Sequence, residues 1–132
     1  VGAALAQSKR VVALVGDGAL MMNSEFNTAA RYRADVTWVV LNDSCLGMVE
    51  KGMRGLGYDK SELSFPEVNF EGIAKAMGCN GVIVTDESLL DAALSEALER
   101  PGPNVVDVRV VTETQAPLGG RNKSLDKQTG GF

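Results

Sequence analysis

Apolar residues run unbroken through Val11, Val12, Ala13, Leu14 and Val15, a β-branched-rich stretch that predicts a strand buried on both faces. Gly16-Asp17-Gly18 breaks it. From Asn23 to about Arg33 the spacing becomes helical, with Asn23 placed to cap and Phe26, Ala29 and Ala30 turned inward; Tyr32 is a further candidate for that face. Residues 36–41 predict a second strand, closed by the turn cluster Asn42-Asp43-Ser44. Residues 46–64 hold Gly47, Gly52, Gly55 and Gly57 among mixed charges and read as a loop with at most a short helix. Asn69 then caps a helix whose Phe70, Ile73, Ala74 and Met77 fall at i, i+3, i+4 and i+7, and Gly78 ends it. Residues 81–84 form a short strand. Asp86 or Ser88 caps the next helix, with Leu89, Leu90, Ala93, Leu94, Ala97 and Leu98 in one apolar stripe up to Arg100. Pro101-Gly102-Pro103 stops it, and residues 105–110 form the last strand.

Strands alternating with helices predict an α/β fold, a doubly wound, mostly parallel sheet with helices on both faces. Residues 1–111 form the predicted domain, and residues 112–132 are a polar, Gly-rich tail expected to lie on another surface or to be disordered. The opening Val1-Gly2-Ala3-Ala4-Leu5-Ala6 reads as the end of a small-residue helix already under way, which predicts a piece of a longer chain or a processed one.

The 132 residues suit one domain, and 45% hydrophobic with 23% charged residues is ordinary for a globular protein. A net charge of -4 argues against a general nucleic-acid or anionic-membrane binder. No apolar run approaches the ~20 residues of a membrane span. The absence of histidine removes His-ligated metals and Ser-His or Cys-His nucleophiles from this chain. Cys45 and Cys79 form no CxxC pair, and a reducing, cytoplasm-like compartment is expected.

In parallel sheets, ligands bind at the carboxyl ends of strands. Asp17 and Asp43, 26 residues apart, both fall there. Glycines beside Asp17 allow close backbone approach to a phosphate, and a following helix start offers N–H groups. A carboxylate and a phosphate repel unless a hard cation lies between them. Mg²⁺ takes one or two carboxylates plus phosphate oxygens, and irregular backbone after Asp43 could add the Cys45 carbonyl. Two plainer readings compete: Asp-Gly between apolar runs is a hairpin signal, and an aspartate at a helix start is a cap. Neither a GxxxxGK[ST] loop nor a GxGxxG turn is present.

Gly16-Asp17-Gly18 followed by Leu41-Asn42-Asp43 resembles the signature of thiamine diphosphate-dependent enzymes, which runs from GDG to a paired NN. The stretch from Leu41-Asn42-Asp43 through Leu46-Gly47-Met48-Val49 resembles the acetolactate synthase LNN-x-x-LGMV segment. Phe65-Pro66 through Phe70, Ile73-Ala74, Ala76 and Gly78, and Pro101-Gly102-Pro103 through Asp107-Val108, are similar to further segments of that family in the same order. The resemblance covers about residues 1–110 and implies the C-terminal cofactor-diphosphate domain. It implies Mg²⁺ on Asp17, Asp43 and the Cys45 main-chain oxygen. Gly16, Gly18, Ala19, Asn42, Gly47 and Met48 would be cofactor-binding, with Gly18 and Ala19 presenting N–H groups to the diphosphate and Met48 near the thiazolium.

Three departures carry meaning. Asp43 stands where Asn is commoner, giving the site a second carboxylate. Gly52 stands where acetolactate synthases usually carry a Trp that restricts the pocket, which favours bulkier substrates. Val49 stands where decarboxylase relatives place a proton-relaying Glu, and Glu50 is one position off. Without that donor, attack on a second carbonyl is favoured over protonation. The implied function is a 2-oxo acid decarboxylating carboligase, with small-molecule 2-oxo acids as substrates. The activating Glu is expected on another domain of the same enzyme, often from a neighbouring subunit of a homodimer or larger assembly. This chain alone is therefore expected to be catalytically incompetent. The alternatives are a non-catalytic assembly module of the same fold and the small subunit of a split decarboxylase. Trp38 is expected to pack within its strand, and Met21 and Met22 to fill a core or pocket. Lys51, Arg54 and Lys60, with Asp59 and Glu62, read as a solvated loop or a lid.

Overall fold

The computed structural model describes residues 1–55, 57 and 63–111. The tail at 112–132, and Asp59, Lys60 and Glu62, lie outside the described residues. Four strands form one all-parallel sheet: β1 (Val11–Gly16), β2 (Val36–Asn42), β3 (Asn80–Val84) and β4 (Asn104–Arg109), in the order β1-β2-β4-β3. Among the described residues six α-helices accompany them: α1 (Gly2–Gln7), α2 (Asp17–Leu20), α3 (Glu25–Tyr32), α4 (Gly47–Gly55), α5 (Phe70–Ala76) and α6 (Leu90–Glu99).

The two faces follow from the order of the strands. β1 to β2 and β2 to β3 move the same way across the sheet, so right-handed crossovers put their helices on one face. β3 to β4 moves back, which sends α6 to the other. The cores agree. Ala4, Leu20, Phe26, Ala29, Phe70 and Ala74 from the helices pack on Val36, Trp38, Val40 and Val105. On the opposite face Ala93 and Ala97 of α6 pack on Val84, Val106 and Val108. Trp38 is a packing residue as expected, its ring 4.9 Å from that of Phe26 and tilted by 59°.

β1 departs from the expectation of burial on both faces. Val11, Ala13 and Val15 pack toward the larger core, while Val12 and Leu14 are 53% and 68% exposed. β1 is an edge strand, and among the described residues α6, the one helix on that face, packs over β3 and β4.

Residues 46–64 hold more structure than their glycines suggest, since α4 runs for nine residues. Ser24, not Asn23, occupies the N-cap of α3; the Asn23 amide donates to the Met21 carbonyl instead, and its own carbonyl accepts from Phe26 N. Tyr32 is exposed, as are Met21 and Met22 at the end of the single-turn α2, so neither methionine fills a core. Leu89 falls in a 3-10 turn (Glu87–Leu89) and is exposed, which shortens the stripe of α6 at its start. The Asn69 cap forms as expected, its Oδ1 accepting from Gly72 N at 2.7 Å, whereas Asp86, whose Oδ1 accepts from Ser88 N at 2.8 Å, caps the 3-10 turn, and α6 itself begins after Leu89 without a side-chain cap.

Candidate functional site

β1 and β2 are adjacent and parallel, so their carboxyl ends emerge side by side, with Gly16 in register with Leu41. Asp17 opens α2 directly from the end of β1, with Gly16 extended at the N-cap. Asp43 and Ser44 follow β2. Ser44 is left-handed (φ 54), which turns the chain sharply enough for Cys45 N to reach back to Asp43 Oδ1 at 3.2 Å. An antiparallel bridge from Cys45 to Ser64 holds this turn, with Leu46 N donating to Leu63 O and Phe65 N to Ser44 O, each at 3.0 Å.

One side chain links the two turns. The Asp17 carboxylate is 3% exposed, and its Oδ2 accepts from Ser44 N at 2.7 Å while Oδ1 accepts from Gly18 N at 2.7 Å. Each carboxylate oxygen retains further acceptor capacity, as does Asp43, which is half-buried. The glycines seal the arrangement. A Cβ on Gly18 would meet Leu46 Cδ2 at 2.6 Å, and one on Gly47 would meet Asp43 Oδ2 at 2.9 Å. Gly47 thus lets the Asp43 carboxylate lie against the first turn of α4. Gly18 serves contact between the two turns.

The sequence-predicted residues divide accordingly. Asp17, Gly18, Asp43, Cys45 and Gly47 come together. Gly16 ends β1 beside them, and Ala19 is exposed in the first turn of α2. Met48 is exposed on α4. Two roles need correction. The Gly18 N–H, expected to face a diphosphate, donates to Asp17 Oδ1, its nearest acceptor. Asn42, expected to bind cofactor, is buried: its Nδ2 donates to Asp107 Oδ1 at 2.9 Å and to Val68 O at 3.0 Å. As an even-numbered residue of β2 it points, with Val36, Trp38 and Val40, into the larger core.

The Cys45 thiol is set apart from metal chemistry by its surroundings. Burial pushes its pKa up, a hydrogen bond with Ser64 pulls it down, and Glu50 and Asp43 push it further up. Its Sγ lies 3.7 Å from Glu50 Oε2, and Glu50 also pairs with Arg54. Among the described residues no three His, Cys, Asp or Glu side chains gather as a metal-binding group, so the side-chain donors here are the two carboxylates. Hard oxygen donors of this kind suit Mg²⁺.

Asp107 went unremarked among the candidate site residues. It is fully buried in β4, and its Oδ2 accepts from Phe70 N at 3.1 Å and forms an ion pair with Arg109 Nη2 at 3.2 Å. The available signal was one charge inside the otherwise apolar run Val105-Val106-Asp107-Val108.

The comparisons with known proteins bear on this arrangement. Residues 1–108 match the family model described as thiamine pyrophosphate enzyme, C-terminal TPP binding domain. The chain is 33% identical to the acetolactate synthase isozyme 1 large subunit of Escherichia coli (strain K12), over 95% of this chain and 24% of that one. It is 34% identical to the acetolactate synthase large subunit of Parasynechococcus marenigrum (strain WH8102), over 77% of this chain and 17% of that one. Among solved structures, a thiamine diphosphate-dependent 4-hydroxybenzoylformate decarboxylase of Rhodococcus jostii RHA1 superposes with a TM-score of 0.78 at 27% identity, over 83% of this chain and 21% of that one. The chain thus spans about a quarter or less of the length of these relatives. No helix among the described residues is long and apolar enough to cross a membrane.

Proposed function

The chain belongs to the C-terminal TPP-binding domain family of thiamine pyrophosphate enzymes, and from that premise we propose that it supplies the Mg²⁺–diphosphate anchor of an acetolactate synthase-like, 2-oxo acid decarboxylating carboligase. Asp17, Asp43 and the Cys45 main-chain oxygen would hold the cation. The observation that supports this best is the 2.7 Å hydrogen bond from Ser44 N to Asp17 Oδ2, which keeps two carboxylate-bearing turns side by side at the carboxyl ends of β1 and β2. Like charges so placed favour a cation between them. Ala19 N–H at the start of α2 would face the diphosphate.

When bound, thiamine diphosphate supplies the nucleophilic carbon and the electron sink for decarboxylation. This chain's residues orient it and take no proton from the substrate. Val49, exposed on α4, carries no proton, and Glu50 is engaged with Arg54 and faces Cys45. That combination supports carbon–carbon bond formation over simple protonation. The activating Glu would come from another domain, within an oligomer of the whole enzyme in a reducing compartment. Gly52 is exposed, and a Cβ there would meet nothing within 4 Å, which supports substrates bulkier than pyruvate.

Calorimetry with thiamine diphosphate and Mg²⁺ on the full-length protein tests the anchor. Cation-dependent binding that Asp17→Ala removes is the expected result; no binding by the wild type refutes the reading. Consumption of a 2-oxo acid by the whole enzyme but not by this chain alone separates the catalytic reading from an assembly module, which would show none in either.

A further inference from the structure

A buried carboxylate in the middle of a central parallel strand is costly, and an apolar residue of similar size is usually cheaper there. Asp107 is such a residue. Its strand neighbours Val105, Val106 and Val108 are apolar and buried, and it pairs with Val40 on one side and Ile83 on the other. Two hydrogen-bond donors and one ion-pair partner converge on it from three places: Asn42 Nδ2 from the end of β2, Phe70 N from the start of α5 and the Arg109 guanidinium from the end of β4.

Asn42 is the residue before Asp43. Its side chain is held by Asp107 and Val68 O, and its main-chain carbonyl accepts from Val110 N at 3.0 Å. Arg109 reinforces the same corner, donating to Val68 O at 3.3 Å and pairing with Glu67 at 3.3 Å. The point where β2 gives way to the Asp43–Ser44 turn is therefore fixed from beneath by one carboxylate. Only a carboxylate can do this. An asparagine at 107 offers a single acceptor oxygen, and its amide would meet Phe70 N–H and Arg109 or Asn42 donor to donor.

We propose that Asp107 is a positioning residue for cation binding: through Asn42 it sets the direction in which Asp43 and the Cys45 carbonyl leave β2. This rests on the Mg²⁺–diphosphate reading of the site. Groups that orient a metal's ligands from behind commonly change affinity by about 10–100-fold when lost.

The test titrates Mn²⁺ into the full-length protein with saturating thiamine diphosphate, following free Mn²⁺ by electron paramagnetic resonance, alongside thermal unfolding. Asp107→Asn is expected to raise the Mn²⁺ Kd by about 10-fold or more. Asn42→Ser leaves Asp107 bonded to Phe70 N and Arg109 and is expected to raise it likewise. The double variant should be no weaker than the weaker single one, because both break one linkage. A lowered unfolding temperature with wild-type Mn²⁺ affinity, or additive effects in the double variant, overturns the inference. Should Asp107→Asn fail to fold, wild-type affinity in Asn42→Ser overturns it alone. A wild type that binds no Mn²⁺ sinks the site reading itself, and this inference with it.

Discussion

Asp17 and Ser44, 27 residues apart in sequence, are joined by a 2.7 Å hydrogen bond from the Ser44 backbone N–H to Asp17 Oδ2. A backbone N–H binds a carboxylate without bringing the positive charge an arginine would. The bond therefore fixes the spacing of the two turns and adds no cationic side chain to the site. Ser44 presents this N–H in a left-handed conformation, which the Cys45–Ser64 bridge and the Phe65 N–H donated to Ser44 O hold in place.

Loss of the Asp17 side chain should accordingly do two things at once, removing a ligand and releasing the second turn. Asp17→Ala is expected to weaken Mg²⁺ by more than about 100-fold, beyond what an indirect partner costs. Asp43→Asn keeps an oxygen for both Cys45 N and a cation, and should retain thiamine diphosphate within a few-fold. Isothermal titration of both variants checks this. Equal, complete loss in the two would falsify Asp43 as the exchangeable second ligand.

Gly18 and Gly47 separate two uses of a missing side chain. Alanine at 47 would bring Cβ to 2.9 Å from Asp43 Oδ2, so the carboxylate must move. Alanine at 18 meets the end of the Leu46 side chain at 2.6 Å, which can rotate away. Gly47→Ala should thus lower Mg²⁺ affinity more than Gly18→Ala, while Gly18→Ala shifts mainly stability. Paired titration and thermal unfolding read out the difference, and the reverse ranking removes Gly47 from the site.

The β-strands and most helices were legible because buried parallel strands demand continuous β-branched runs and helices demand a 3.6-residue stripe. The turns at Asp17 and Asp43 were legible from their place after such runs. Asn42 was misjudged because sequence position does not reveal which way a strand-end amide points. Strand alternation places it with Val40 in the core, and the acceptor that draws it in, Asp107, lies 65 residues away. Exposure of Val12 and Leu14 was equally hidden, since whether a helix covers an edge strand depends on strand order.

Gly52 tests substrate size. With nothing within 4 Å of its Cβ position, a tryptophan can be added without collision at its first carbon. Gly52→Trp in the full-length enzyme should depress kcat/KM for a bulky 2-oxo acid by roughly 10-fold or more relative to pyruvate, as loss of pocket volume does elsewhere. Stopped or coupled assays on both substrates give the ratio. An equal effect on the two would take Gly52 out of the pocket.

Cys79 gives a prediction about pH. Its thiol is buried behind α5, donates to the Phe26 carbonyl at 3.4 Å, and is pushed by burial from 9.0 up to about 11. The thiol is neutral in both folded and unfolded chains below pH 9. Between pH 9 and 11 the unfolded chain ionises there while the folded one does not, so rising pH favours unfolding. Above that window both are ionised and the effect stops growing. The loss amounts to on the order of 2 kcal/mol across the window. Lysines and tyrosines titrate in the same range, so the informative quantity is the gap in urea-unfolding free energy between wild type and Cys79→Ala. The variant loses packing by the same amount at every pH and lacks the titration. The gap should therefore be widest below pH 9 and narrow steadily toward pH 11; a constant gap would mean that the thiol ionises as readily in the folded core as in water.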